Sequence, residues 1–348
     1  MPDFAVITPT FNRAALIPAA LDSVLAQTVL NHGRSIEVAV VDDGSTDATA
    51  QVLERYLAGP AAALAAAAGA VTIRYIPQGR LGVVAARNTA IAQTRAPYIA
   101  FLDSDDYWRP QKLERQLALM EFDPRVGVVH TAFRYVDENG AFVDQGPQRL
   151  DNPCVGACLD VLLREFLVIF SSVLIRRSVV DAAARAEPHG QPFDSRWTNA
   201  QDYDLILRAA RLCRFAYVPE PLTLYRRHGG HGAMGDLKRA YGFHSRVQID
   251  FARRYGWEVG VDEAEARRRA AAFVLGRAQA AFWRRQMGVV RDLCDLADEL
   301  GFADAAFASL RRKARRPGAA WIYRTKDALE RLCGRGREGG DAHRKDGA

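Results

Sequence analysis

The chain has 348 residues, 49% of them hydrophobic, enough to bury a full core and long enough to suggest two domains. Its five cysteines, Cys154, Cys158, Cys213, Cys294 and Cys333, are odd in number and lack close-paired zinc spacing, which disfavours a disulfide framework or a zinc site and suits a reducing cytosol. The formal net charge of +6 does not argue for nucleic acid, because the arginines thicken after about Arg226 while the first half carries the acidic clusters.

Met1-Pro2-Asp3-Phe4 runs straight into an apolar segment, without the basic start and apolar stretch of a secretory signal, so a cytoplasmic protein is expected. Phe4 to Thr8 reads as a strand ended by Pro9, and Leu16, Ala20, Leu21, Val24 and Leu25 give helical spacing over Ala14 to Leu25. Val38 to Val41 is a second buried strand; Asp43-Gly44-Ser45-Thr46-Asp47 supplies turn and cap residues before a helix over roughly Ala48 to Leu57. Gly59 to Ala70 is alanine-rich, either a helix extension or a surface loop. A third strand is expected at Val71 to Ile76, a helix at Gly82 to Gln93, and a fourth strand at Tyr98 to Leu102 that ends on aspartates.

Alternating strands and helices imply a doubly wound, mostly parallel α/β sheet flanked by helices, and such sheets bind ligands beyond the carboxyl ends of their strands. Pro9-Thr10, Asp42-Asp43 and Asp103 to Asp106 all fall at such ends, so three polar clusters should share one rim. The second half offers strands at Val126 to Phe133, Leu167 to Ile175 and Phe215 to Val218, with a helix at Tyr203 to Arg211. The apolar run Phe166 to Ile175 falls far short of the roughly 20 residues a membrane-spanning helix needs, and reads as a buried strand. Helices follow at Leu237 to Tyr255, Glu263 to Arg285 and Val289 to Leu300. A boundary near residue 232 would divide a catalytic domain, 1–232, from a helical accessory region, 233–333, with a disordered tail at 334–348.

The chemistry starts at Phe101-Leu102-Asp103-Ser104-Asp105-Asp106. Three acids at a strand end repel one another without a cation, and a magnesium-like ion uses one or two carboxylates plus phosphate oxygens. Asp105 is the first choice of metal ligand, Asp103 lies near a ribose or the metal, and Asp106 orients either one. The alternative is a helix-capping cluster before Pro110. In Asp42-Asp43-Gly44-Ser45 a carboxylate can accept a ring N–H from a pyrimidine while Gly44 turns the backbone, or the string is simply a turn and cap. Arg87 could reach phosphate or pair with Asp42. A hydroxyl nucleophile needs a base; Asp202 in Gln201-Asp202-Tyr203-Asp204 is the candidate, with helix capping as its alternative and Asp204 as competitor. His228 in Tyr225-Arg226-Arg227-His228 could be a metal ligand or merely exposed.

Taken together, these residues resemble family 2 glycosyltransferases, inverting enzymes of the GT-A fold, over roughly residues 3 to 230. The resemblance rests on Val6-Ile7-Thr8-Pro9-Thr10-Phe11-Asn12-Arg13, Val41-Asp42-Asp43-Gly44-Ser45-Thr46-Asp47, Ala86-Arg87-Asn88, Phe101 to Asp106 and Gln201-Asp202-Tyr203-Asp204, in the family's order. It implies that Asp43 contacts the base, Asp103 the ribose or metal and Asp105 a Mn2+ or Mg2+ ion, with His228 a weaker ligand. Pro9, Thr10, Asn12, Arg13, Asp42, Arg87 and Ser104 would complete the donor site. Asp202 would deprotonate the acceptor hydroxyl for in-line attack at the anomeric carbon.

The implied donor is a nucleotide-diphosphate sugar, UDP-linked in first preference, and the acceptor a hydroxyl-bearing saccharide or a lipid-linked one, as in cell-surface polysaccharide or glycolipid assembly. Gln201 stands where many members carry Glu, and the QxxRW signature of processive synthases is absent, which favours single addition. Arg267-Arg268-Arg269, Arg284-Arg285 and Arg311-Arg312-Lys313 could attract an anionic inner membrane face or form a solvated helical face. A nucleotidyltransferase would show a glycine-rich phosphate loop with a lysine near the first strand, unlike Pro9 to Arg13. A non-catalytic nucleotide-sugar-binding protein would have lost its base or metal position, yet Asp105 and Asp202 both stand.

Overall fold

The computed structural model describes residues 1–59, 69–143, 153–164, 168–227 and 236–315, with Ala63 and Ala65. The expected tail, the boundary at 232 and His228 lie outside these residues, as does most of the alanine-rich stretch. The first apolar runs become β1 (Phe4–Thr10), β2 (Ile36–Asp43), β3 (Val71–Gln78) and β4 (Tyr98–Phe101), with α1 (Ile17–Leu25), α2 (Thr49–Leu57) and α3 (Val83–Ala92) between them. Every residue of β1 and β2 is buried, as helix-covered parallel strands require.

The sheet continues through β5 (Tyr107–Trp108), β6 (Val126–Val136), β7 (Leu174–Arg176) and β8 (Arg214–Arg226), in the spatial order β3-β2-β1-β4-β7-β6-β8-β5. The pairs β3/β2, β2/β1, β1/β4 and β6/β8 are parallel; β4/β7, β7/β6 and β8/β5 are antiparallel. Two expectations change here. The run ending at Ile175 is not one strand: Phe170–Ser172 forms a 3-10 turn and only Leu174–Arg176 joins the sheet. The Ser172 hydroxyl bonds locally, its Oγ donating to the Ile169 carbonyl at 2.6 Å, and so competes with ladder formation. Conversely, β8 extends well past Val218, because the register with β6 jumps from Thr131/Val218 to Ala132/Pro221 and the irregularity steps over Pro219.

The helices α4 (Lys112–Phe122), α5 (Leu159–Leu162), α6 (Arg177–Arg185) and α7 (Gln201–Leu212) cover the sheet. Beyond them lie α8 (Leu237–Val259), α9 (Glu263–Trp283), α10 (Met287–Glu299) and α11 (Ala305–Ala314). Nothing was expected at α4, α6 or α11, although Leu113, Leu117 and Met120 in α4 carry helical spacing and are buried. The core on one sheet face holds Ile7, Val41, Phe101, Phe170, Phe193 and Tyr203 together with Val247, Phe251 and Tyr255 of α8. A second core on the opposite face gathers Val6, Leu21, Val40, Leu117 and Val129. The third joins Ile249 of α8 to α9, α10 and α11. Helix α8 therefore belongs both to the sheet layer and to the helical end.

Candidate active site at the strand ends

The register sets Thr10 of β1 beside Asp42 of β2, and β1 beside β4, so the three polar clusters do meet on one rim. Just past β1, Asn12 takes a left-handed backbone, φ 53°, which asparagine tolerates better than most residues. Its N–H donates to Ser45 Oγ at 2.9 Å and its Oδ1 accepts from Thr46 N at 2.8 Å, tying the loop after β1 to the loop after β2. Asp42 is engaged internally: Oδ1 accepts from Ser45 N at 2.9 Å and Oδ2 from Tyr75 Oη at 3.1 Å. Asp43 Oδ1 accepts from Gln78 Nε2 and Leu81 N, both at 2.8 Å, while among the described residues Oδ2 accepts only from Gly82 N, at 2.9 Å, leaving a lone pair for a further donor. Gly44 turns at φ 75°, and a Cβ there would sit 3.1 Å from Arg80 N, so glycine is required twice over. Arg80 lies over the Phe11 ring, 4.3 Å from its centroid, and forms a lip beside this loop.

The aspartates after β4 separate into unequal parts. Asp106 is buried: its Oδ2 accepts from Ser171 Oγ at 2.6 Å and its Oδ1 from Arg226 N at 3.0 Å. Burial, with Asp105 and Asp103 adding repulsion, pushes its carboxyl well above the usual range, and through its two hydrogen bonds it braces the loop. Asp105 and Asp103 keep side-chain exposures of 23% and 35% and remain accessible. Asp105 Oδ2 meets Arg13 Nη2 at 3.4 Å, and Asp103 Oδ1 meets Arg87 Nη2 at 2.7 Å. Ser104 between them is buried. Arg87 thus pairs with Asp103, not with Asp42. Its guanidinium lies over Phe170 and Phe193, and its Nε and Nη1 are buried with no hydrogen-bond partner.

Asp202 sits in the first turn of α7, its Oδ1 accepting from Tyr203 N at 2.8 Å. Burial raises its carboxyl above the usual range, the adjacent Arg87 draws it back and Asp103 pushes it up, so it shares one electrostatic neighbourhood with the aspartate loop. Asp204, its competitor in the sequence, points elsewhere: it is fully buried and salt-bridged to Arg208 at 2.8 Å and Arg254 at 2.9 Å. Gln201 is buried with Oε1 unpartnered. The residue before it, Ala200, adopts φ 60°, a strained conformation for a residue with a Cβ.

Ser171 carried no local sequence signal, whereas Arg226 and Tyr225 lie in the run Tyr225-Arg226-Arg227-His228 singled out in the sequence. Ser171 Oγ accepts from Asp103 N at 3.2 Å while donating to Asp106, and so braces both ends of the aspartate loop. Arg226 donates from Nε to the Asp105 carbonyl at 2.9 Å and from Nη1 to the Asp137 carbonyl at 3.0 Å. The prolonged β8 is what brings it there. Tyr225 beside it is held un-ionised by burial and by the three aspartates.

Two partly exposed carboxylates with hard oxygen donors fit a Mg2+- or Mn2+-type ion. Among the described residues no three His, Cys, Asp or Glu side chains converge, so phosphate oxygens would have to complete the coordination.

Glycosyl transferase family 2 matches residues 5–180, half of the chain. A chondroitin synthase of Escherichia coli is 28% identical over 258 residues, 74% of this chain and 33% of that protein; an uncharacterized glycosyltransferase of Nostoc is 29% identical over 272 residues, 74% and 78%. The chain thus spans about a third of the chondroitin synthase. Staphylococcus aureus TarS bound to UDP-GlcNAc superposes with TM-score 0.60 at 19% identity, over 94% of this chain and 92% of that one. Pyrobaculum calidifontis mannosyltransferase PcManGT bound to GDP-Man and Mn2+ gives 0.54 at 18%, over 94% and 80%. At such identities these structures speak to fold alone, and they share the mostly parallel, helix-flanked GT-A sheet.

Proposed function

Since the chain belongs to glycosyl transferase family 2, we propose that it moves a sugar from a nucleotide-diphosphate donor, UDP-linked in first preference, to a hydroxyl of a saccharide or lipid-linked acceptor, with inversion at the anomeric carbon. The observation that carries this reading is the Asp103–Arg87–Asp202 neighbourhood beside the accessible Asp105. The names of the relatives support a polysaccharide-building role and a UDP-sugar donor, and the GDP-Man complex keeps a second nucleotide in play.

In this reading residues 1–232 carry the donor and acceptor sites. Asp43, with a lone pair left on Oδ2, faces the base, and Arg13 and Arg87 face the diphosphate. Asp105, with Asp103, would hold a divalent ion, Mn2+ or Mg2+, which supplies charge neutralisation for the departing diphosphate. Asp202 takes the proton of the acceptor hydroxyl; its carboxyl, raised by burial and drawn back by Arg87, is a stronger base than an exposed aspartate. Asp204 is committed to its ion pairs and is not the base.

Among the described residues no helix is long and apolar enough to cross a membrane. The basic triplet at the start of α9 is paired, Arg267 with Glu263, Arg268 with Glu265 and Arg269 with Glu265 and Asp160, which favours a solvated helical face over a membrane-facing patch. The reading is tested by incubating the purified chain with UDP- and GDP-sugars in Mn2+, Mg2+ or EDTA and a panel of saccharide acceptors. Release of nucleotide diphosphate that stops in EDTA is the expected result; no release with any donor refutes it.

A further inference from the structure

We propose that Arg254 and Gln248 of α8 are positioning residues for Asp202, so that the carboxy-terminal helices set the geometry of the acceptor side; this rests on Asp202 being the base. Successive α-helical residues turn by about 100°, so Asp202 and Asp204 project on nearly opposite sides of α7. One faces the rim and the other faces α8.

The residues that follow Asp202 are both held from α8. Arg254 Nη2 meets Asp204 Oδ1 at 2.9 Å, and Arg254 Nη1 meets Glu187, a buried acid just past the end of α6. Asp250 Oδ2, one turn back on α8, lies 2.9 Å from Arg254 Nε as an ion-pair contact, without hydrogen-bond alignment. Arg208 closes the cluster from α7, bonding Asp204 Oδ2 and donating to the Ala183 carbonyl at 3.1 Å. Gln248 Nε2 donates to Tyr203 Oη at 3.0 Å and to the Leu163 carbonyl at 3.0 Å, while Tyr203 Oη donates to the Leu162 carbonyl at 2.8 Å. Tyr203 is also the residue whose N–H holds the Asp202 carboxylate.

The left-handed Ala200 indicates why clamping is needed. A non-glycine residue in that conformation persists only where its surroundings over-determine it, and the first turn of α7 follows directly. Asp204, Glu187 and Arg208 are removed from water and Arg254 is only 19% exposed, so displacing Arg254 leaves buried charges short of a partner. Displacing α8 would therefore displace Asp202 without touching the donor site at Asp43, Asp103 and Asp105.

The test uses the full chain, Mn2+ and the UDP-sugar giving the fastest UDP release, with radiolabelled donor to follow slow variants. Arg254→Met and Gln248→Leu are each made alone and in an Asp202→Asn background, with Arg254→Lys as the conservative variant. Arg254→Met should lower kcat by 10- to 100-fold with the UDP Kd within twofold of wild type, Arg254→Lys should recover part of the loss, and neither substitution should cost anything further once Asp202 is Asn. Losses that multiply in the Asp202→Asn background, or full kcat in folded Arg254→Met, overturn the proposal. If Arg254→Met does not fold, Gln248→Leu carries the same comparison with the same two outcomes. An Asp202→Asn variant with wild-type turnover would instead remove the base assignment, and the proposal with it.

Discussion

Arg87 Nη2 donates to Asp103 Oδ1 at 2.7 Å from an arginine only 3% exposed, its guanidinium laid over two phenylalanine rings. The pair links α3 to the loop after β4. Among the described residues two further Arg87 nitrogens have no hydrogen-bond partner, which a buried cation seldom tolerates unless a ligand supplies one. Arg87→Met should therefore weaken binding of UDP-sugar at least tenfold, about 1.4 kcal/mol, by calorimetry. Unchanged affinity would confine Arg87 to holding Asp103.

The aspartate loop should respond unequally to substitution. Asp105→Ala is expected to lower Mn2+-dependent nucleotide release by about a hundredfold or more, because an accessible carboxylate beside the leaving group is lost. Asp106→Asn should keep most activity, since its side chain is buried and turned to Ser171 and the Arg226 backbone, both of which an amide can still engage. Steady-state rates across a Mn2+ titration separate the two, and equal effects would contradict the division made here.

Asp202 and Asp204 should differ in kind. Removing a positioned base typically costs about 10²- to 10⁴-fold, so Asp202→Asn should lose turnover to that extent with stability unchanged or slightly raised, because its ionised form is disfavoured in the folded chain. Asp204→Asn breaks the fully buried ion pair with Arg208 and the partly buried one with Arg254, and should cost roughly 3 to 5 kcal/mol of stability. Urea denaturation of both variants decides it; a stable Asp204→Asn would be the contrary result.

Two interior histidines, His130 buried and His244 half-buried, make stability fall in mild acid. Burial pushes His130 and His244 down to about 4, while the unfolded chain titrates near 6.5. Between those values the unfolded state binds more protons, so their contribution is present above pH 6.5 and is lost as pH falls toward 4, at most roughly 3 kcal/mol each. His130→Gln, which keeps a donor for the Cys154 carbonyl, should flatten the decline in urea midpoint between pH 6.5 and 4.5. An unchanged slope would show that the ring is not held neutral.

How much the sequence disclosed follows from how local the forces are. Strands β1 to β4 and the helices between them were legible because their apolar periodicity and turn residues act within a few positions, and strand ends then place Asp43 and Asp103 to Asp106 on one rim. The 3-10 turn at Phe170–Ser172 was not, because an apolar run with two serines reads as a strand until Asp106, distant in the chain, takes the Ser171 hydroxyl. The extension of β8 was hidden by Pro219 and Pro221, which a register shift accommodates. Choosing between Asp202 and Asp204 needed α8, since both are equally good acids on paper and only Arg254 shows which one is engaged.

The central claim, metal-assisted transfer from a nucleotide sugar at this rim, is tested most directly by nucleotide release in wild type, Asp105→Ala and Asp202→Asn, assayed side by side with the same UDP-sugar, acceptor panel and Mn2+. Release by the wild type that collapses in both variants, while Asp202→Asn still binds UDP, is the expected result. Equal release by all three proteins, or none from the wild type with any donor, would contradict it.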